Sequence, residues 1–248
     1  MLKWLSTRFN KHKAPTPAVE DVFLFAGVSR SGPVKHKLSG EISVLRIADL
    51  PGRGKSTFCQ HALLLKNLLR CPSLKVVVWD FKGQGSFDWL SARFPGRVRV
   101  ANIRKGVTLE HQELIEQVEQ EFKTSDGTAY LVVVDEAHMG LVSYSKPAND
   151  FERFCNRLTV LCKEIAQMGR SEHWILVAIT LSPAKTAAEI ADSSIGCWVL
   201  GMVTEPELRK RIPGGNPDML LDSRLSQKNF FCVSFEGEME IVKFEIGK

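Results

Sequence analysis

The sequence predicts an α/β fold: a mostly parallel sheet with helices on both faces, closed near its C-terminal end by a β-hairpin. Three observations carry that prediction. From residue 42 onward, short apolar runs such as KVVVW, LVVV and WILVAITL alternate with longer amphipathic segments. Strands that are apolar along their whole length are buried on both faces, as parallel sheets covered by helices require. A glycine-rich turn, PGRGKST, joins the first of these runs to a helical pattern. Finally, 248 residues with 44% apolar and 25% charged content suffice for one sizeable core.

Residues 1–20 read as a basic tail and 21–248 as a single domain. The tail MLKWLSTRFNKHKAPTP holds four Lys and Arg residues and no acid. It lacks the apolar stretch of a secretory signal. It reads either as a basic amphipathic helix touching a membrane or nucleic acid, or as a frayed tail ending at Pro15 and Pro17. DVFLFAGVS and KHKLSGEISVLRIA are extended segments, with turn signals at Ser31-Gly32-Pro33 and Ser39-Gly40. The strand at 42–48 feeds the glycine turn, and a helix follows from Lys55 to about Leu69. LKVVVWD (74–80) is the next strand, followed by a Gly-rich loop and a short helix in SFDWLSARF.

RVRVANI (97–103) reads as a strand, and LEHQELIEQVEQEF (109–122) as a helix with a polar face. AYLVVVDEAH (129–138) is a buried strand with acids at its end. Over 150–168, Phe151, Phe154, Leu158, Leu161, Cys162 and Ile165 recur at helical spacing. WILVAITL (174–181) is a strand, PAKTAAEIAD (183–192) a helix and GCWVLG (196–201) a strand. NFFCVSF and EIVKFEI form the closing β pair.

A net charge of +5 and an isoelectric point near 8.9 permit polyanion binding without demanding it. None of the six cysteines, at 59, 71, 155, 162, 197 and 232, forms a CxxC pair, and most sit among apolar residues. Buried free thiols in a reducing compartment are expected, rather than disulfides or zinc. No apolar run reaches the roughly 18 residues that a membrane span needs.

The stretch IADLPGRGKSTF (47–58) carries the first chemical signal. A phosphate loop needs a strand, a tight glycine turn and a helix, so that backbone N–H groups and the helix N-terminus surround the phosphates. The usual pattern is Gly, four residues, then Gly-Lys-Ser/Thr. Gly54, Lys55 and Ser56 stand intact, but Asp49 occupies the first glycine's place. Pro51, Gly52, Arg53, Gly54, Lys55, Ser56 and Thr57 are the expected cradle. Lys55 reaches the outer phosphates, and the Ser56 hydroxyl serves magnesium. A carboxylate at 49 repels a triphosphate unless it points away.

LVVVDEAH supplies the second signal. An apolar strand ending in Asp135 and Glu136 suits magnesium-dependent NTP hydrolysis, with Asp135 in the metal's shell and Glu136 polarising the attacking water. The letters DEAH invite a helicase reading, but two-lobed helicases bind ATP between tandem cores, and this chain has length for one. Thr180 ends WILVAITL, where a polar side chain senses the γ-phosphate in NTPases of this kind; a threonine satisfied by backbone fits the position equally.

Taken together, four stretches resemble the FtsK/HerA class of ring-forming, DNA-pumping ATPases, in its additional-strand catalytic-glutamate group. LPGRGKST is similar to the class's phosphate loop and VVVWDFKGQGSF to its Asp-x-Lys-Gly motif. LVVVDEAH is similar to the magnesium-site strand, and GRSEHWILVAITLSP to the Gly-Arg segment leading into the sensor strand. GGNPDMLL resembles a late Gly-Asp-Met-Leu element, so the likeness runs from about 42 to 235. The departures are Asp49, Thr180 and Ser182 where the class presents a Gln, and the absence of a glycine directly before Asp218.

The resemblance implies a RecA-like P-loop core that uses ATP and Mg2+. It implies a homo-hexamer or other ring acting on DNA, double-stranded and sequence-independent. Each site would be completed by a neighbour's arginine, with Arg170 the first candidate and Arg209 and Arg211 next. The location implied is cytoplasmic or virion-associated, or peripheral to a membrane, with the basic tail as the contact to a membrane, capsid or secretion partner. Lys82 in DFKGQGSF follows a buried strand at the ligand-binding edge, so its loop either faces nucleotide, lines a pore or is a plain turn; NIRKG (102–106) and VSYSKPAND (142–150) offer further basic and aromatic residues of the sort a pore loop needs. The function implied is an ATP-hydrolysing motor that translocates or packages DNA. The alternative is a nucleotide-switched assembly or secretion ATPase that does not act on DNA. Asp49 opens a third reading, nucleotide binding without turnover.

Overall fold

The structure, a computed structural model, describes residues 20–104, 106–181, 190–214 and 216–246. Its frame is one ten-stranded sheet. The strands are β1 (Phe23–Ser29), β2 (Gly32–Lys37), β3 (Val44–Ala48), β4 (Lys75–Asp80), β5 (Val98–Asn102), β6 (Tyr130–Asp135), β7 (Trp174–Thr180), β8 (Cys197–Leu200), β9 (Phe230–Phe235) and β10 (Glu238–Lys243). Across the sheet they run β2-β1-β10-β9-β8-β3-β7-β6-β4-β5. From β8 to β5 all neighbours are parallel, while β9, β10, β1 and β2 extend the sheet by antiparallel pairs.

The parallel part forms where the sequence is apolar on both faces. Every residue of β6 and β7 is buried. One core lies beneath α4 (Leu109–Lys123) and α6 (Asp150–Glu172), where Trp79 meets Phe154 edge-on and Trp174 stacks on Tyr130 at 3.8 Å. The other lies beneath the helix that follows the glycine turn. That helix starts as α1 (Lys55–Phe58), passes through a π-helical stretch (Cys59–Leu65) and ends as α2 (Lys66–Arg70). Phe58, Leu63, Phe87 and Phe231 fill this second core. Shorter helices are α3 (Asp88–Arg93), α5 (Ala137–Gly140) and α7 (Pro206–Arg211).

Local chemistry sets the helix ends. Thr108 and His111 form a reciprocal capping box at the start of α4, and the Asn149 side chain accepts from Glu152 N at the start of α6. α6 runs to Glu172, past the expected end at 168. Gly169 lets it pack onto the Trp174 carbonyl, which a Cβ would approach to 2.4 Å, and left-handed His173 (φ 59°) then stops it. β3 starts two residues later than expected, because Ile42 N bonds back to Leu38 O and closes a turn.

Arg46 is 1% exposed in the middle of β3. Burial pulls its guanidinium down to about 10, and it is held by Asp192 at 3.1 Å and by the Trp198 ring, 4.7 Å from its centroid. All six cysteines are free and buried, in line with the sequence. Among the described residues no helix is long and apolar enough to cross a membrane. The tail through residue 19, Ser182 and residues 183–189 of the expected 183–192 helix lie outside the described residues.

Candidate functional site

The carboxyl ends of β3, β7, β6 and β4 meet at one edge of the sheet, where ligands bind in parallel α/β folds. Register places Ala48 beside Thr180, and Asp135 beside both Ile179 and Asp80. β7 thus separates the strand that feeds the glycine turn from the strand that carries the acids. At this edge opens a cavity of about 420 Å3, a size suited to a nucleotide.

The cavity floor is the glycine turn. Gly52 (φ 76°) and Gly54 (φ 97°) take left-handed conformations that side chains disfavour, and Gly54 caps the helix that starts at Lys55. Pro51, Gly52, Gly54, Lys55, Ser56 and Thr57 all line the space. Arg53 turns away, its guanidinium donating to the Ser226 carbonyl, and so anchors the turn to the chain before β9. Lys55 Nζ donates to Asp49 O at 2.7 Å and Leu50 O at 3.0 Å. Two of its three donors thus fix the loop, and the third faces the cavity. Burial pulls the Lys55 ammonium below its ordinary value.

Asp49 answers its own difficulty. Its side chain packs on Gly201, where a Cβ would come within 2.0 Å of Oδ1, and Oδ1 accepts from Leu50 N at 2.7 Å. The carboxyl group borders a second, smaller recess with Met202 and Leu225, and it does not line the nucleotide-sized cavity. Burial pushes its pKa up, which favours the neutral acid. The backbone of Asp49 meanwhile serves Lys55, so the residue supports the loop without lining the cavity.

Opposite the turn, Ser56 Oγ donates to Asp135 Oδ2 at 3.0 Å. Asp135 is 1% exposed, and burial pushes its carboxyl up to about 6 despite that hydrogen bond. Neighbouring Asp80 is fully buried; Oδ1 accepts from Gly83 N at 2.8 Å, and Oδ2 has no partner among the described residues. These oxygens fit a small hard cation, which asks for one or two carboxylate or hydroxyl ligands and takes the rest from phosphate and water. Among the described residues no three His, Cys, Asp or Glu side chains cluster into a cage, as is usual where phosphates complete the shell.

Glu136 lines the same cavity in a left-handed conformation (φ 57°, ψ 48°) rare for a residue with a side chain. That bend turns the chain from β6 straight into α5 and aims the carboxylate at the cavity, 3.4 Å from His138 Nδ1. Thr180 is fully buried at the mouth of the loop, and its carbonyl accepts from Asp49 N at 3.4 Å. Arg170, expected to serve a neighbouring subunit's site, lies away from its own chain's cluster. It precedes the start of β7, bonded to Gly40 O at 3.0 Å, and seven strand residues at about 3.3 Å each hold it roughly 20 Å from the carboxyl edge. Arg209 and Arg211 are engaged with Asp218 and Asp192.

The cavity also contains residues beyond the glycine turn and Glu136. Lys82 lines it from the turn that Asp80 fixes, so the Asp-Phe-Lys-Gly segment faces the nucleotide-sized space. Gln60 and Lys228 line it as well. Asn229, left-handed at φ 68°, brings its side-chain oxygen within 3.2 Å of where Gly54 would carry a Cβ. The one local signal for this last pair is the Lys-Asn turn directly before a strand.

No protein-family model matches the chain, and no curated protein matches it in sequence. Solved structures do match. The pCW3 conjugation coupling protein TcpA, with ATPgS, superposes with a TM-score of 0.65 at 14% identity, over 90% of this chain and 66% of that one. The cytoplasmic domain of the Thermomonospora curvata type VII secretion ATPase EccC gives 0.59 at 16% identity, over 94% and 29%. The genome packaging NTPase B204 of Sulfolobus turreted icosahedral virus 2, with AMPPCP, gives 0.52 at 14% identity, over 83% and 98%. The chain therefore spans less than a third of EccC, about two thirds of TcpA and nearly all of B204. Its fold is the one that conjugation coupling, genome-packaging and type VII secretion proteins share.

Proposed function

We propose that the chain is a magnesium-dependent ATPase that drives DNA through a homo-oligomeric ring, as a packaging or transfer motor. The observation that carries the ATPase is the Ser56–Asp135 hydrogen bond, which ties the start of the helix after the glycine turn to the end of β6, with Glu136 next in the chain lining the cavity. The glycine turn and Lys55 bind the phosphates through backbone N–H groups and an ammonium donor. Ser56 and Asp135 would hold Mg2+, which would neutralise charge on the phosphate oxygens. Glu136 accepts a proton from the water that attacks the γ-phosphorus, and ADP leaves with the bridging oxygen; His138 Nδ1 lies 3.4 Å from the glutamate. Lys82 adds positive charge facing the transferred phosphoryl group. An arginine from a neighbouring subunit would complete the site, and a ring supplies that neighbour.

The DNA reading is supported by B204, a genome packaging NTPase that this chain matches over 98% of its length. TcpA, a conjugation coupling protein, points the same way. A secretion or assembly ATPase is the second reading, because EccC and EssC of Geobacillus thermodenitrificans superpose with a TM-score of 0.59, above the 0.52 of B204. Turnover measured with and without Mg2+ and double-stranded DNA, beside Glu136→Gln, decides between them. Stimulation by DNA that vanishes in the variant supports the motor. Turnover indifferent to DNA selects the assembly reading, and no turnover by assembled protein leaves nucleotide binding alone.

A further inference from the structure

A basic, aromatic face lies away from the nucleotide cavity, where β1 packs beside the helix that begins at Lys55. β1 alternates buried Leu24 and Ala26 with half-buried Phe23 and Phe25 on its other side. The two rings are 6.2 Å apart. Three exposed cations cover them. Lys35 Nζ stands 3.8 Å and the Arg70 guanidinium 4.8 Å from the Phe23 centroid, and Lys66 Nζ stands 5.2 Å from that of Phe25. Lys66 and Arg70, four residues apart on α2, share a helix face. Among the described residues none of the three cations is ion-paired, and Asp21 beside them is taken by Lys37 at 2.8 Å. Buried Asn67 fixes the arrangement, accepting from Phe23 N at 2.9 Å and donating to Phe23 O at 2.6 Å.

Exposed cations without ion pairs on one face attract a polyanion, though Asp21 lies near Arg70 and Glu41, Glu236 and Glu238 share a recess with Lys35. Lys and Arg on flexible stems swing from ring to phosphate, and the ring faces beneath them then offer stacking surfaces for bases. The 6.2 Å ring separation is nearly twice the roughly 3.4 Å rise per nucleotide of a duplex strand, so it suits the bases of a stretched single strand. A membrane-binding face projects its large apolar side chains outward, whereas these half-buried rings, tilted 48° to each other, sit beneath cations.

We propose that Phe23, Phe25, Lys35, Lys66 and Arg70 bind a segment of single-stranded nucleic acid, its phosphates on the cations and two bases on the rings. This binding stands apart from ATP turnover. The test is fluorescence anisotropy of a labelled oligothymidylate with the full chain, without nucleotide or metal, over a salt series. The oligonucleotide is expected to bind more tightly than a duplex of equal length. Lys66→Gln/Arg70→Gln weakens it and flattens the slope of log K against log salt by about 1.4, at about 0.7 for each phosphate contact removed. Phe23→Leu keeps an apolar side chain on β1, and it weakens binding at least about fivefold with the salt slope unchanged. Melting curves show that both variants fold. Glu136→Gln binds the oligonucleotide as the parent does, so a failed ATPase reading leaves this result standing. Binding that neither variant alters, or a preference for duplex, overturns the proposal. So does attachment to phosphatidylserine vesicles alone, lost in the same variants, which would assign the face to a membrane.

Discussion

Replacing Asp135 by Asn should stabilise the protein while abolishing its response to magnesium. The carboxylate is 1% exposed, and burial raises its pKa from 3.8 to about 6. The folded state therefore prefers the protonated acid. Stability from this group is complete below pH 3.8 and is lost as pH rises through about 6. Each pH unit in that window is worth about 1.4 kcal/mol, so the ionised carboxylate costs the folded protein about 3 kcal/mol at neutral pH. Asn can still accept from Ser56, but its amide N–H groups need partners, which offsets about 1 kcal/mol. A gain of about 2 kcal/mol remains, or about 4–8 °C in Tm for a chain of this length.

Thermal unfolding of Asp135→Asn and its parent in EDTA, at pH 7.5 and pH 4, measures it. The variant should melt higher at pH 7.5, and the two curves should converge at pH 4. Added Mg2+ with ATP should then raise the Tm of the parent alone. A variant that melts below its parent in EDTA at pH 7.5, or a difference that does not change with pH, refutes the account of Asp135 as a buried charge awaiting a metal.

Other expectations follow from neighbouring contacts. Asp49→Asn leaves ATP affinity unchanged by calorimetry, because that side chain faces Gly201 and Leu50 N instead of the cavity. Gly201→Ala puts a methyl 2.0 Å from Asp49 Oδ1; it costs about 1–3 kcal/mol in urea unfolding and weakens ATP binding by shifting the carbonyl that holds Lys55. Asp192→Ala leaves Arg46 buried without its carboxylate and lowers unfolding free energy by about 3 kcal/mol, whereas an unchanged midpoint would mean that Trp198 alone holds the guanidinium.

Much of the site was legible because its chemistry is local. Gly52 and Gly54 supply positive φ within four residues of Lys55, and a strand–turn–helix junction presents them whatever the rest of the chain does. Asp135 and Glu136 end an apolar run, so their place at a sheet edge follows from the run itself. The alternation of apolar runs and amphipathic segments likewise fixed a parallel sheet with helices on both faces. The antiparallel extension by β1 and β2 was less legible, since a short strand does not say which neighbour it will pair with.

What remained belongs to contacts between residues far apart in the chain. The direction of the Asp49 side chain depends on the absence of a Cβ at Gly201, on a different strand end. Lys82 comes to the cavity because β4 pairs with β6 and sets Asp80 beside Asp135, and Lys228 comes from the turn before β9. Arg170 shows the converse. It is close to β7 in sequence, yet it precedes the strand's start and so lies at the opposite edge of its own subunit's sheet. By itself, the sequence determined which residues form the glycine turn and which acids end a strand, because backbone conformation and apolar periodicity are set within a few residues. Only the tertiary structure decided which side chains share the cavity and which turn away, because strand order and register are set by packing across the whole sheet.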